Sequence, residues 1–438
     1  MLKLSQGAKK ALELLHSSGH EAYIVGGSVR DMMMGLRAND FDITTSATPD
    51  QIKAALNGYT TVDTGIKHGT VTFVYEKEPI EITTYRIDGE YKDSRHPESV
   101  KFTKNLENDL SRRDFTVNAL VYNENEGIID LFGGQNDIKN KILKAIGDPK
   151  KRFEEDALRI LRGVRFASQL GFEIEENTKK AMIECAHLLH NISSERINTE
   201  ISKFLLGKNV KKALLDNYEI IGEIIPEIKE MHGFEQNSKY HIYDVLTHTA
   251  VAIENVVPIL HLRLTMLLHD TGKPKTYSQD ENGQGHFYGH AKISAEIAED
   301  FLNKYRYDNQ TKEKVLKLVK IHDTPIELDR VFIKKRMNRL GKDLFFDLLK
   351  VKRADNLAQN PKYFWLDKLD KFDIIAKEII EENCFTLSSL NVNGSDLISL
   401  GFYGKEIGNT LNTLLLEVIE EKLPNEKEAL LKRAAQLK

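Results

Sequence analysis

Cysteine, tryptophan and long apolar runs are what this 438-residue chain has least of. Its two cysteines, Cys185 and Cys384, stand far apart, which argues against a disulfide framework and suits a reducing compartment. No apolar run approaches the ~18 residues that span a bilayer, and residues 1–10 carry no apolar core of a secretory signal. A soluble, cytoplasmic protein with no membrane partner is the expectation. Charge of one sign is also missing: 62 Lys and Arg face 66 Asp and Glu, a net charge of −4. That argues against a uniformly basic nucleic-acid coat and leaves local patches open. No fixed-period repeat or low-complexity segment stands out. What the chain has is length, enough for roughly two to four domains.

The organising stretch is IVGGSVRD at residues 24–31, followed by NDFDIT at residues 39–44. It reads as an apolar strand, a glycine turn, a short helix and an acidic strand. Gly26 and Gly27 suit a turn and equally a backbone cradle for phosphates, to which Arg30 adds charge-assisted hydrogen bonds. On a strand, Asp40 and Asp42 would share one face. Two carboxylates so close favour a divalent cation such as Mg²⁺, the chemistry of phosphoryl transfer, although an exposed strand can carry surface acids. Glu81, on another predicted strand, is either a third carboxylate of that site or a rim charge. A small mixed sheet accounts for residues 1–145, and residues 86–97 read as a polar, mobile loop.

The pattern changes at residue 149 to helical periods, and strand signals nearly vanish. Arg112 and Arg113 precede a predicted helix holding Thr116 and Asn118, an unfavourable place for cations unless they hold an anion. Asp156, Arg159 and Arg162 are three apart and are expected on one helix face. They form either a salt-bridge ladder or a base-reading pair in which a carboxylate accepts from an exocyclic amine while a guanidinium donates. Arg196 and Glu200 belong to a similar ladder. Further on, His248 lies at the start of a predicted helix, and His269, Asp270, His290, His322 and Asp355 follow.

IVGGSVRD, NDFDIT, DLSRRDFTVNAL, DLFGG, RFEEDALRILRGVRF and SSERINTEISKFL occur here in one order. That series resembles the bacterial and eukaryotic class of tRNA nucleotidyltransferases and poly(A) polymerases, within the polymerase-β-like superfamily. The resemblance covers residues 20–210 and implies an α+β fold: a polymerase-β-like head (1–145), a helical neck (146–228), a helical body (229–360) and a helical tail (361–438). It implies Asp40 and Asp42 as catalytic Mg²⁺ ligands. Gly26, Gly27, Arg30, Arg112 and Arg113 are implied to hold the nucleotide, and Asp156 and Arg159, supported by Arg162 and Arg165, to select its base. Arg196 and Glu200 are implied to steady the neck. The implied activity is untemplated addition of CCA to tRNA 3′ ends from CTP and ATP, the tail gripping the tRNA elbow. The loop at residues 85–97 is full length, as in versions that add all three nucleotides. A poly(A) polymerase and a C-only enzyme share these motifs, and a non-catalytic RNA-binding scaffold would share the fold.

The later histidines resemble the HD superfamily of metal-dependent phosphohydrolases. The resemblance implies a metal held by His248, His269, Asp270 and Asp355, a second ion at His290 and His322, and Ni²⁺, Mn²⁺ or Co²⁺ as the ion. It implies hydrolysis of 2′,3′-cyclic phosphates or phosphomonoesters, a way of repairing RNA ends.

Overall fold

Residues 22–25 are apolar without alternation because the strand they form is covered on both faces. Ile24 packs with Leu12, Leu15, Ile43 and Ile82, while Tyr23 and Val25 pack with Tyr85, Leu110 and Val121. The computed structural model describes residues 2–38, 40–89, 100–382 and 385–438. Asn39, Cys384 and positions 90–97 of the expected loop lie outside the described residues. The chain divides into two units, Met1–Lys229 and Glu230–Lys438.

The first unit runs α1 (Gln6–Ser17), β1 (Ala22–Val25), α2 (Gly27–Met33), β2 (Asp42–Thr45), α3 (Pro49–Ala55), β3 (Thr60–Gly65), β4 (Thr70–Tyr75) and β5 (Glu78–Thr84). Then come β6 (Arg86–Asp88), β7 (Val100–Phe102), α4 (Leu106–Ser111), β8 (Leu120–Asn123), β9 (Gly127–Asp130) and α5 (Gly134–Asn140). Seven strands make one sheet in the order β3-β4-β5-β2-β1-β8-β9. Within this sheet, among the described residues, only the β2–β5 pair is parallel, and it sets Asp42 directly beside Glu81.

Three local expectations are corrected. Asp40 precedes β2 rather than lying in it. Arg112 is the C-cap of α4, the end of a helix that favours cations, and Thr116–Asn118 is a single 3-10 turn, so the two arginines do not start a helix. The expected loop begins as a strand, β6, paired with β7.

Beyond the two-residue strand β10 (Ile142–Leu143) the first unit is helical: α6 (Pro149–Glu155) and α7 (Leu158–Leu170), a partner strand β11 (Glu173–Ile174), then α8 (Glu176–Cys185), α9 (Ser194–Leu205), α10 (Val210–Asp216) and α11 (Tyr218–Ile224). Asp148 caps α6 by accepting from Lys150 N at 3.0 Å, with Pro149 at the first helical position. Gly171, left-handed at φ 70°, ends α7. A further correction falls between α6 and α7. Asp156 is extended (φ −141°, ψ 99°) and breaks the helix that was expected to run through it, so it shares no helix face with Arg159 and Arg162.

The short α12 (Glu227–Met231) crosses the boundary between the units. The second unit contains α13 (Val245–Asn255), α14 (Leu260–Leu268), α15 (Lys273–Thr276), a hairpin of β12 (Ser278–Gln279) and β13 (Gly285–His286), α16 (His290–Lys304) and α17 (Asn309–Ile321). It continues with α18 (Arg330–Leu340), α19 (Lys342–Leu357), α20 (Leu366–Glu382), α21 (Gly394–Ser399), α22 (Lys405–Ile419) and α23 (Lys427–Gln436). Ile333, Met337, Phe345, Leu369 and Phe372 join α18, α19 and α20, and Leu397, Phe402, Leu414 and Leu430 form a separate core in the tail. Among the described residues, no helix is long and apolar enough to cross a membrane.

Candidate functional site

One cavity of about 620 Å³ in the first unit gathers the residues expected to hold metal, nucleotide and base, namely Gly26, Gly27, Arg30, Asp40, Asp42, Arg112, Arg113, Asp156, Arg159, Arg162 and Arg165, while Glu81 and Glu200 do not line it. Seven arginines and five aspartates line it, a local excess of positive charge in a chain whose net charge is −4. Asp42 starts β2 and opens to the cavity. Loss of solvent, then Glu81 beside it and Asp40, raise its carboxyl above the ordinary range, with Arg113 opposing them. Clustered carboxylates that resist ionising together are relieved by a cation, so this oxygen-only donor set fits a divalent ion.

Gly26 contributes shape rather than a donor. Its φ is 81°, a left-handed conformation that glycine adopts freely, and its N–H is given to Leu120 O at 3.1 Å. The arginines around it are held by acids that the motifs alone did not single out. Fully buried Asp109 accepts from Arg112 at 2.8 Å and lies 3.6 Å from Arg113. Burial presses the Asp109 carboxyl up, but the two guanidiniums outweigh it and hold it low. Asp114 accepts from Arg162 Nε at 2.7 Å, from Asn118 Nδ2 at 3.0 Å and from Phe115 N at 2.8 Å. Arg30 donates to Asn118 Oδ1 at 2.5 Å, which closes a chain from Arg30 through Asn118 and Asp114 to Arg162.

Asp156 sits where its helix breaks, fixed by Leu158 N at 3.1 Å and Arg196 at 2.9 Å. Arg159 donates to Arg112 O at 2.7 Å and to Glu155 at 3.0 Å, and Arg165 pairs with Glu200 at 3.2 Å. The segment carrying Arg196 and Glu200 thus clamps Asp156, an expected base reader, and Arg165, expected to support it. At the centre stands Phe166, whose ring centroid lies 4.3 Å from Arg165, 5.1 Å from Arg30 and 5.4 Å from Arg162. Nothing in the motifs singles out Phe166. Arg113 Nε and Arg196 Nη1 are buried with no hydrogen-bond acceptor, donors that an anionic ligand in this cavity would satisfy. The DLFGG motif is structural: Asp130 accepts from Gly134 N at 2.9 Å, and a Cβ on Gly134 would lie 2.3 Å from Thr116 O.

In the second unit His290, His322, Asp270 and Asp355 line a cavity of about 490 Å³, and the expected ligands His248 and His269 lie fully buried against Asp270. His248, His269, His290 and His322 each turn Nδ1 to a backbone carbonyl, at 3.1, 2.7, 2.8 and 2.7 Å. A carbonyl accepts only from an N–H, so Nδ1 carries hydrogen and all four Nε2 atoms face inward. This is the outer-shell arrangement of ligating histidines. Asp270 straddles them: Oδ2 is 3.2 Å from His269 and 3.4 Å from His248, and Oδ1 is 3.4 Å from His290 and 3.7 Å from His322.

Two donor groups result, His248–His269–Asp270 and Asp270–His290–His322, each with its atoms within 4.8 Å of one another. Asp355 stands 3.0 Å from His248 and 3.6 Å from His269. Burial alone would press His269 down, but Asp270 and Asp355 carry it up to about 10, the same pull that these acids would exert on a cation. His241, which the sequence reading did not include, also lines the cavity, and burial pushes it down to about 3.

A sheet that ends in carboxylates beside a glycine turn, joined to an arginine-rich helical layer, defines a nucleotidyltransferase. Residues 22–144 match the family model for the poly A polymerase head domain, residues 171–231 one for an RNA and SrmB-binding site of polymerase A, and residues 279–434 one for tRNA nucleotidyltransferase domain 2. The chain belongs to the CCA-adding enzyme family: it is 33 % identical to the CCA-adding enzyme of Pediococcus pentosaceus over 97 % of this chain and 96 % of that one. Against the CCA-adding enzyme of Ligilactobacillus salivarius it is 50 % identical over 47 % of this chain and 51 % of that protein, so this chain spans about half the length of such relatives. The crystal structure of the Bacillus stearothermophilus CCA-adding enzyme in complex with CTP superposes with a TM-score of 0.73 at 26 % identity, covering 99 % of this chain and 97 % of that one.

Proposed function

We propose that this protein extends tRNA 3′ ends with C, C and A from CTP and ATP, without a nucleic-acid template, in the cytoplasm. The observation that carries the reading is that the Asp40/Asp42 pair and the Asp156/Arg159 pair, from distant parts of the chain, line the same cavity. Asp40 and Asp42, with Glu81 alongside, would hold Mg²⁺, which supplies Lewis-acid activation of phosphoryl transfer when bound. Arg30, Arg112 and Arg113 bind the triphosphate, and Gly27 keeps the turn open. Asp156 accepts from the amino group that C and A carry and U lacks, and a guanidinium donates to the adjacent ring acceptor. Arg159 and Asp156 are already hydrogen-bonded to the protein, so the base meets fixed partners. Presenting tRNA that lacks its 3′ CCA with CTP, ATP or both, and reading product length, tests this. Three added nucleotides are expected. An open-ended A tract points to a poly(A) polymerase, a stop after C to C-only addition, and no extension to an RNA-binding scaffold.

A second reading rests on the Asp270 cluster: the second unit is an HD-type metal-dependent phosphohydrolase. His248, His269, Asp270 and Asp355 would hold one ion and His290 and His322 a second. Nitrogen-rich ligands favour Ni²⁺, Mn²⁺ or Co²⁺ over Mg²⁺. Phosphate release from 2′,3′-cyclic nucleotides with these ions tests it.

A further inference from the structure

The histidine cavity of the second unit has an aromatic mouth. Tyr288 lines it and is 79 % exposed, already stacked on His286 with centroids 5.3 Å apart and ring planes at 8°. Pairing of His286 with Ser278 in the hairpin fixes one end of this pair. Gly289, at φ 79°, then turns the chain into α16, whose first residue is His290, its Nε2 facing Asp270 at 3.4 Å. One turn therefore sets a flat exposed ring and an expected metal ligand two residues apart. Tyr240 lines the same cavity at 42 % exposure, with Lys239 Nζ 5.1 Å from its ring centroid. Large exposed rings that rim a polar cavity mark a ligand site, and a phosphate group alone would use none of them.

We infer that this rim is a base-binding subsite. The cavity takes a nucleotide unit, its phosphate toward the histidine–aspartate cluster and its base stacked on Tyr288. The position of the phosphate rests on the phosphohydrolase reading; the stacking rests on the rim. Rings accept any base by their faces, so the subsite favours nucleotides over base-free phosphates without choosing among bases.

Trp365 is the only tryptophan of the chain and lines this cavity, so its fluorescence reports occupancy without hydrolysis. The full-length protein, saturated with Mn²⁺, is titrated with adenosine monophosphate and separately with ribose 5-phosphate. Binding of the nucleotide about tenfold more tightly is expected, the order that one base–aromatic stack gives. Tyr288→Ala should close that gap, Tyr288→Phe should keep it, and unchanged thermal melting would show that both variants fold. Equal midpoints for the two ligands, or a gap that survives Tyr288→Ala, overturns the inference. Absence of phosphate release with Mn²⁺, Ni²⁺ and Co²⁺ would overturn the hydrolase reading instead, and a Tyr288-dependent gap would still stand.

Discussion

Asp114→Asn removes one charge and almost no volume, and it isolates the acid that anchors Arg162. Asp114 is 6 % exposed and Arg162 is 35 % exposed in a pair at 2.7 Å. Exposed pairs contribute about 0–1 kcal/mol and breaking a buried one costs about 3–5 kcal/mol. This half-covered pair, with the Phe115 N–H still able to bond an amide oxygen, falls near 2 kcal/mol. For a unit of this size that lowers Tm by about 4–8 °C. Arg162, freed beside Arg30 and Arg165, should reduce kcat/KM for CTP and ATP together by about tenfold.

The acid limb supplies an independent check. Burial presses the Asp114 carboxyl up, but Arg162, Asn118 and the Phe115 N–H hold it well below the ordinary carboxylate range. The unfolded chain, with a carboxyl near 3.9, takes up the proton first. The stabilisation is therefore fully present above about pH 4 and is lost as pH falls toward the folded value. Wild type and variant should differ in Tm at pH 7 and converge below pH 4. Melting curves by circular dichroism across that range and steady-state nucleotide incorporation measure both effects. A variant with unchanged Tm and kinetics at pH 7 would refute the anchoring role.

Other expectations follow from the same cavities. Asp156→Ala should raise incorporation of U and G relative to C and A by about tenfold or more, since a good bidentate base contact contributes about 1–3 kcal/mol of discrimination; primer extension with single nucleotides checks it, and negligible U and G incorporation would sink the assignment. Phe166→Leu should raise KM for CTP and ATP alike by several-fold, increasingly so at low ionic strength where the repulsion of Arg30, Arg162 and Arg165 is less screened, while Phe166→Tyr restores it. Chelation should abolish nucleotide addition and Mg²⁺ restore it, with Asp42→Ala inactive at every Mg²⁺ concentration. Asp270→Ala should remove metal-stimulated phosphate release and leave nucleotide addition intact; loss of both would tie the two sites together.

By itself the sequence determined the chemistry on offer. Motif order disclosed the head and neck series, and the apolar run ending at Val25 disclosed the first strand, because local pattern follows from which residues are buried. It did not disclose the break at Asp156, since the flanking residues are good helix formers and the extended conformation is held by Arg196 from a helix far along the chain. Nor did it separate Asp109 and Asp114 from ordinary surface acids, or Phe166 from a core residue. Those roles come from partners distant in sequence. Only the tertiary structure decided that four histidines from separate helices turn their Nε2 atoms onto one Asp270, and that Asp42 and Asp156 share a cavity. A side chain's donors and charge belong to the residue, whereas what they meet is set by packing that no local pattern encodes.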